Sequence, residues 1–371
     1  VLFPDSGGGL PPDEVTLAEL VKQQGYATGC FGKWHLGHLP PFLPTKQGFD
    51  TYFGIPYSND MDAEPGAREY HKRSRTEADF QPKHDWWNVP LMRDEKIIER
   101  PADQRTITRR YADEAISFIR SHKEEPFFVY LANSMPHIPL FASEDFRGES
   151  PRGLYGDVVE EIDHHVGRVL QTLRDEGLAE NTLVLFTSDN GPWLSFKLHG
   201  GSAGPLRGGK GTSFEGGQRV PAIFWWPGTI PAGTSVTQMG STLDMMATLG
   251  ALTGAQPPTD RTLDSLDLSP ALRGKGDSPR RDFFYWTRGK LHAVRSGPYK
   301  LHLLQREPIH YGREVPLDKP ELYHVEHDEA EQFDVAGEHP DIVKRLKRLA
   351  AEHRAAIDPV PDQLEIRLPA E

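Results

Sequence analysis

An apolar run, Leu183-Val-Leu-Phe186, closes in Thr187-Ser-Asp-Asn-Gly-Pro192. A buried strand ending this way delivers a carboxylate, Asp189, and an amide, Asn190, as two hard oxygen donors at the carboxyl edge of a sheet. Such donors suit a divalent cation; standing alone, Asp-Asn-Gly is also an ordinary turn. A second segment, Gly25-Tyr-Ala-Thr-Gly-Cys-Phe-Gly-Lys-Trp-His-Leu-Gly37, sets Lys33 and His35 two residues apart after another strand, so both can leave on one side. Without further context they would be a solvated pair around a buried Trp34. Lys210 sits in Gly208-Gly-Lys-Gly-Thr-Ser-Phe-Glu-Gly-Gly217, a loop open enough for backbone and lysine to close on an anion. Its spacing is not that of a P-loop, and in isolation it reads equally as a surface hairpin. His137, in Ser134-Met-Pro-His-Ile-Pro139, follows the apolar run Phe127–Ala132 and is held between prolines.

The elements that must position these groups follow from pattern. Thr16 is an N-cap for a helix over 17–24 that Gly25 ends. Ile107, Tyr111, Ala115, Phe118 and Ile119 share one helical face and precede the strand at 127–132. Val159, Ile162, Val166, Val169, Leu170 and Leu173 form a second stripe before the strand at 183–187. A further strand over 221–226 and a helix over 243–252 complete an α/β alternation with a largely parallel central sheet. Residues 39–104 show no sustained period and read as long loops, the kind that carry function. Past the Gly, Lys, Ser and Pro around 274–281, three short strands (283–286, 291–295, 299–304) and a helix with Ile342, Val343, Leu346 and Leu349 on one face predict a small antiparallel α+β domain. The expected division is 1–278 and 279–371.

With 42 basic and 54 acidic residues the formal charge is -12, which argues against nucleic acid or an anionic membrane as partner. An anion site must then be a local cluster, and Lys33, Lys197, Arg207 and Lys210 with His35, His137 and His199 are the available set. Apolar runs fall far short of the ~20 residues that span a bilayer, so no membrane span is expected. One cysteine, Cys30, excludes an intrachain disulfide.

Taken together, the 25–37, 187–192 and 208–217 segments resemble the type I sulfatases, in particular the group of arylsulfatase A and N-acetylgalactosamine-6-sulfatase. The resemblance runs through nearly the whole chain and implies an alkaline-phosphatase-like fold. It assigns Asp189 and Asn190 to a metal, calcium or in some members magnesium. Lys33 would hold the nucleophile and sulfate oxygens, and His35 would act as a base. His137 and Lys210 would contact the sulfate and assist the leaving group, with Ser58 lining the pocket. Asn59, Asp60, Trp193, His199 and His310 are candidate substrate-site residues, and Glu215 with Arg219 a pair buttressing the glycine-rich loop. The implied substrate is an aryl sulfate or sulfated saccharide, and the implied compartment periplasmic or extracellular.

In that family the nucleophile is formylglycine, made from Cys or Ser in a C/S-x-P-x-R motif by a formylglycine-generating or anaerobic sulfatase-maturing enzyme. Here Cys30 is followed by Phe-Gly-Lys-Trp, Ser134-Met-Pro-His-Ile lacks the arginine, and Ser150-Pro-Arg has the wrong spacing. The expectation is therefore a sulfatase whose nucleophile segment lies before Val1, and a chain inactive by itself. Two alternatives remain open at this level: a phosphate or phosphonate ester hydrolase of the same superfold, and a non-catalytic binder of sulfated glycans.

Overall fold

The computed structural model describes residues 2–308, 312–358, 360–364 and 366–369. Helix α1 (Leu17–Lys22) begins as expected, with a capping box between Thr16 and Glu19, and leads to β1 (Ala27–Gly32). After β2 (Thr51–Gly54) and α2 (Ala67–Arg73) comes the hairpin of β3 (Leu91–Arg93) and β4 (Lys96–Glu99). Then follow α3 (Ile107–Ser121), β5 (Phe127–Ala132), α4 (Gly153–Asp175) and β6 (Val184–Thr187). The short α5 (Glu215–Gln218), β7 (Ala222–Trp225), α6 (Met245–Thr253) and α7 (Ser269–Leu272) close this part.

The main sheet has the order β4-β3-β2-β1-β5, with β1 parallel to both β2 and β5. Side chains alternate along β1 as a pleated strand requires. Phe31 points to α3, where its ring meets Phe118 edge-on at 5.7 Å. Cys30 points to the opposite layer with Ala18, Trp34, Phe49 and Tyr52. Strands β6 and β7 pair antiparallel in a ladder of their own. Among the described residues β5 has a partner on one edge only, and Tyr130, Phe186 and Ile223 on β5, β6 and β7 are exposed.

The α/β architecture expected from the sequence is thus the one observed, but the reading of 39–104 as loop is corrected. It contains α2, the hairpin, and β2, a strand of the central sheet. Four residues, Thr51-Tyr-Phe-Gly54, are too few to show a period of two. Tyr52 and Phe53 are buried on opposite faces, so no polar residue alternates with them.

Beyond residue 280 a four-stranded antiparallel sheet has the order β13-β10-β9-β8. Its members are β8 (Asp282–Thr287), β9 (Lys290–Ser296), β10 (Tyr299–His302) and β13 (Glu321–His324), the last not anticipated from the sequence. A small ladder of β11 (Gln305–Arg306) and β12 (Glu314–Val315) lies between. One face packs Val294, Leu301 and Leu322 against Leu346 and Ala350 of α8 (Pro340–Ala355). The pairing register puts Lys300 beside Arg295, and Ala293 between His302 and Tyr285, on the other face.

The junction of β1 and β5 is a tight constraint. Gly32 has φ +126°, and a Cβ there would lie 1.9 Å from the Ala132 carbonyl oxygen. Gly25, at φ +75°, has open space around it. We expect Gly32→Ala to cost about 3 kcal/mol or more and Gly25→Ala about 1 kcal/mol. Urea unfolding of both variants checks this, and equal losses would contradict it.

Candidate functional site

The carboxyl ends of three parallel strands gather the candidate groups. Just past β1, Lys33 N–H donates to the Ala132 carbonyl at 2.7 Å, while Trp34 and His35 N–H donate to Ile55 and Pro56 at 3.0 and 3.1 Å. The Lys33–His35 turn is therefore stitched to the ends of both neighbouring strands. Trp34 is buried between them, its indole N–H on the Phe42 carbonyl at 2.8 Å. The extension of β2 carries Ser58 and Asp60, and that of β5 carries His137, which lies between the cis prolyl bonds Met135–Pro136 and Ile138–Pro139. Ser58 Oγ is 3.4 Å from His137 Nδ1.

Asp189 and Asn190 follow β6 and are tied to the Lys210 loop through the backbone. Gly191 N–H donates to Gly217 O at 3.1 Å, and Lys210 N–H to Pro192 O at 2.9 Å. A Cβ on Gly191 would sit 1.8 Å from Gly216 O, so only glycine allows this approach. The Lys210 ammonium lies 4.8 Å from the centre of the Trp193 ring, and His137 packs 5.5 Å from the same ring.

Charge shows that these groups share one environment. Burial lowers Lys33 against the pull of Asp189 and Asp60, and it lowers Lys210 with help from Lys33. Burial, then the charges of Lys33 and Lys210, hold His137 well below its ordinary value. Burial and Lys33 push His35 down to about 4. Asp60 moves the other way, raised by burial, and its Oδ1 is buried without a hydrogen-bond partner. Both imidazoles are thus neutral near pH 7, and their contacts fix the tautomers. His35 Nε2 lies 3.0 Å from the Leu2 carbonyl and His137 Nδ1 2.7 Å from the Ile138 carbonyl, so each of these nitrogens carries the proton. His35 Nδ1 and His137 Nε2 keep the lone pairs. His35 also adopts φ +61°, a costly conformation for a non-glycine residue and typical of functional sites.

Two oxygen donors, Asp189 and Asn190, suit a hard divalent cation but fill only part of its usual shell of six or more. Among the described residues no group of three or more His, Cys, Asp or Glu could complete it.

Of the other residues singled out in the sequence, Asp60 and Trp193 join this cluster. Asn59 does not: its amide nitrogen is spent on Gln104 and on the carbonyls of His137 and Pro139, while its Oδ1 is buried without a partner. His199 is fully buried, bound to Tyr70 and to the Glu77 and Ala78 carbonyls. Arg207 reaches the Glu331 carbonyl at 2.7 Å instead of joining the anion cluster, and Lys197 is exposed. His310 lies outside the described residues. Glu215 does buttress the glycine-rich loop, but its side chain pairs with Lys300 and Arg295 rather than Arg219. That partnership is long-range, so no local spacing could signal it. Cys30 is buried in the core with its thiol pushed far up by burial, as a structural cysteine.

The sulfatase family model matches residues 3–255, and the model of the C-terminal region of aryl-sulfatase matches 278–368. The chain belongs to the sulfatase family. It is 38% identical to N-acetylgalactosamine-6-sulfatase of Mus musculus, over 97% of this chain and 72% of that protein. With arylsulfatase A of Bos taurus it shares 39% identity over 98% of this chain and 76% of that one. Among solved structures, the PsFucS1 sulfatase from Pseudoalteromonas sp. superposes with a TM-score of 0.81 at 26% identity, covering 96% of this chain and 75% of that one. Ps i-CgsB in complex with k-i-k-neocarrahexaose gives 0.77 at 28%, covering 98% and 79%. The phosphonate monoester hydrolase SpPMH from Silicibacter pomeroyi, at 0.63 and 18% identity over 95% of this chain and 82% of that one, shares the fold alone.

The neutral histidines give this sulfatase a pH signature. Unfolded, His35 takes up a proton near pH 6.5; folded, it does so only near 4. Acid therefore favours the unfolded chain, and stability is lost as pH falls from about 6.5 towards 4. From pH 7 to 5 His35 alone should account for about 1–2 kcal/mol, and His35→Gln should flatten the profile by that amount. Thermal melts across this range test it, and an unchanged slope in the variant would refute the assignment.

Proposed function

We propose that this chain binds the sulfuryl group of an aryl sulfate or sulfated saccharide at the Lys33–Lys210 cluster and belongs to a sulfuric ester hydrolase. The supporting observation is the convergence of two enclosed lysines and two neutral histidines beside Asp189. Asp189 and Asp60 offset the two lysines without pairing directly with either, and a sulfate oxygen can supply the direct contact. Lys33 and Lys210 hold the anion, with Ser58 lining the pocket. The lone pair on His35 Nδ1 accepts a proton from a nucleophile, and His137 faces the leaving oxygen, gaining a proton more readily once an anion is bound. Asp189 and Asn190 would hold a calcium ion, which when bound polarises sulfate oxygens and lowers the pKa of a nucleophile beside it. The domain boundary after residue 278 belongs to the same reading, as does formylglycine, installed by a maturation enzyme, as the nucleophile of the hydrolysis. Within residues 1–371 no serine or cysteine carries the required motif, so we infer binding without turnover for this chain alone.

Titration calorimetry with inorganic sulfate tests the anion site. Lys33→Ala and Lys210→Ala are each expected to weaken binding about tenfold or more, and unaltered affinity in both would rule the site out. Calcium is expected to bind weakly, with a Kd of about a millimolar, and not at all after Asp189→Ala. In an aryl sulfate assay the purified chain should give no signal above background; turnover that disappears in Asp189→Ala would disprove this last inference.

A further inference from the structure

Half of the residues in the loop Gly208–Gly217 that carries Lys210 are glycine. Its next segment, α5, is gripped by the C-terminal sheet. Lys300 Nζ, fully buried on β10, lies 3.0 Å from both Glu215 Oε1 and Glu331 Oε1. Arg295 of β9 reaches Glu215 Oε2 at 3.2 Å, and the Tyr285 hydroxyl of β8 donates to Glu215 Oε1 at 3.0 Å. Glu331 completes the ring: its Oε2 accepts from the Glu215 backbone N–H at 2.6 Å and its Oε1 from His302 Nε2 at 2.7 Å. The Glu331 carbonyl takes the Arg207 guanidinium at 2.7 Å, and Glu331 itself is held at φ +49°.

From this ring, backbone bonds run straight into the site. Gly216 N–H donates to Arg207 O at 2.8 Å, Gly217 O accepts from Gly191, and Lys210 N–H meets Pro192 O. Displacing α5 would therefore move the Lys210 turn and the Asp189–Pro192 turn together.

We propose that Glu331 and Lys300, with Tyr285 and Arg295, are positioning residues through which the C-terminal sheet sets the place of Lys210. The network touches no reacting group; it acts through Glu215 and the backbone of α5. This inference rests on Lys210 being part of the anion site.

The test uses the purified 371-residue protein, inorganic sulfate as probe, and hydrogen exchange read over peptides spanning 207–217. Glu331→Gln is expected to speed exchange there about fivefold or more and to weaken sulfate about tenfold. Combined with Lys210→Ala, it should add no further loss, because both changes remove the same contact. Should Glu331→Gln fail to fold, Tyr285→Phe removes one hydrogen bond only and should show the same pattern at about threefold. Losses that add fully in the double variant, or unchanged exchange at 207–217, would overturn the proposal, since a merely structural role gives additivity. Faster exchange with sulfate binding insensitive to Lys210→Ala would support the mechanical coupling and refute the anion-site reading instead.

Discussion

Two lysines enclosed beside each other impose the constraint on which the rest of this site depends. Coulomb repulsion between unit charges is modest in water and grows several-fold as the surroundings dry. Lys33 and Lys210 sit where burial lowers both and each lowers the other or its neighbours. His35 and His137 cannot also be charged there, and both are driven neutral. Asp60 and Asp189 supply the counter-charge, yet neither forms a direct ion pair with the lysines; Asp60 keeps a buried oxygen unpartnered. An arrangement with this much uncompensated field is poor for stability and good for binding an anion.

Holding such a cluster requires a backbone that cannot relax away from it. The parallel strands provide part of the answer. Lys33 continues the β1–β5 ladder and the next two residues bond to the extension of β2, so the turn is anchored on both sides. Gly32 permits the approach because any side chain would strike the Ala132 carbonyl. On the opposite side of the site the loop is glycine-rich, and its rigidity comes from packing of backbone on backbone at Gly191, Gly216 and Gly217. Glycine here costs conformational entropy that the buried contacts to the C-terminal sheet offset.

Much of this was legible in the chain itself. Helix α1 announced its start with Thr16, although it stops at Lys22 rather than running to Gln24, and α3 showed its face through Ile107, Tyr111, Ala115 and Phe118. Strand β5 was an apolar run, and β1 was placed between Gly25 and the Lys33 turn. Functional groups could be nominated because they sit immediately after such runs, where open α/β sheets place their sites. What could not be read is long-range. β2 is too short for its period to register, and β13 pairs across a connection of nearly twenty residues from β10. His199 and Asn59 carry the chemistry of site residues but are consumed by Tyr70, Gln104 and nearby carbonyls, which only the fold reveals. Glu215 finds its partners eighty or more positions away in Lys300 and Arg295.

The two lysine environments in this molecule illustrate how one residue type serves opposite ends. Lys300 is fully buried, yet two carboxylates lie 3.0 Å away and an aromatic ring 4.1 Å away. Burial pushes Glu331 up, but Lys300 and His302 outweigh it and hold that carboxyl at about 2. Both of its carboxylate partners are present, so the Lys300 charge leaves nothing for an anion to satisfy, and removing Glu215 or Glu331 would strand a charge at a cost of about 3–5 kcal/mol. Lys33 and Lys210 have the same chemistry with the partners withheld. A saturated network can hold geometry but bind nothing; an unsaturated one can bind but cannot hold itself. Placing the first directly behind the second, with Glu215 and the α5 backbone between them, supplies both properties within one fold.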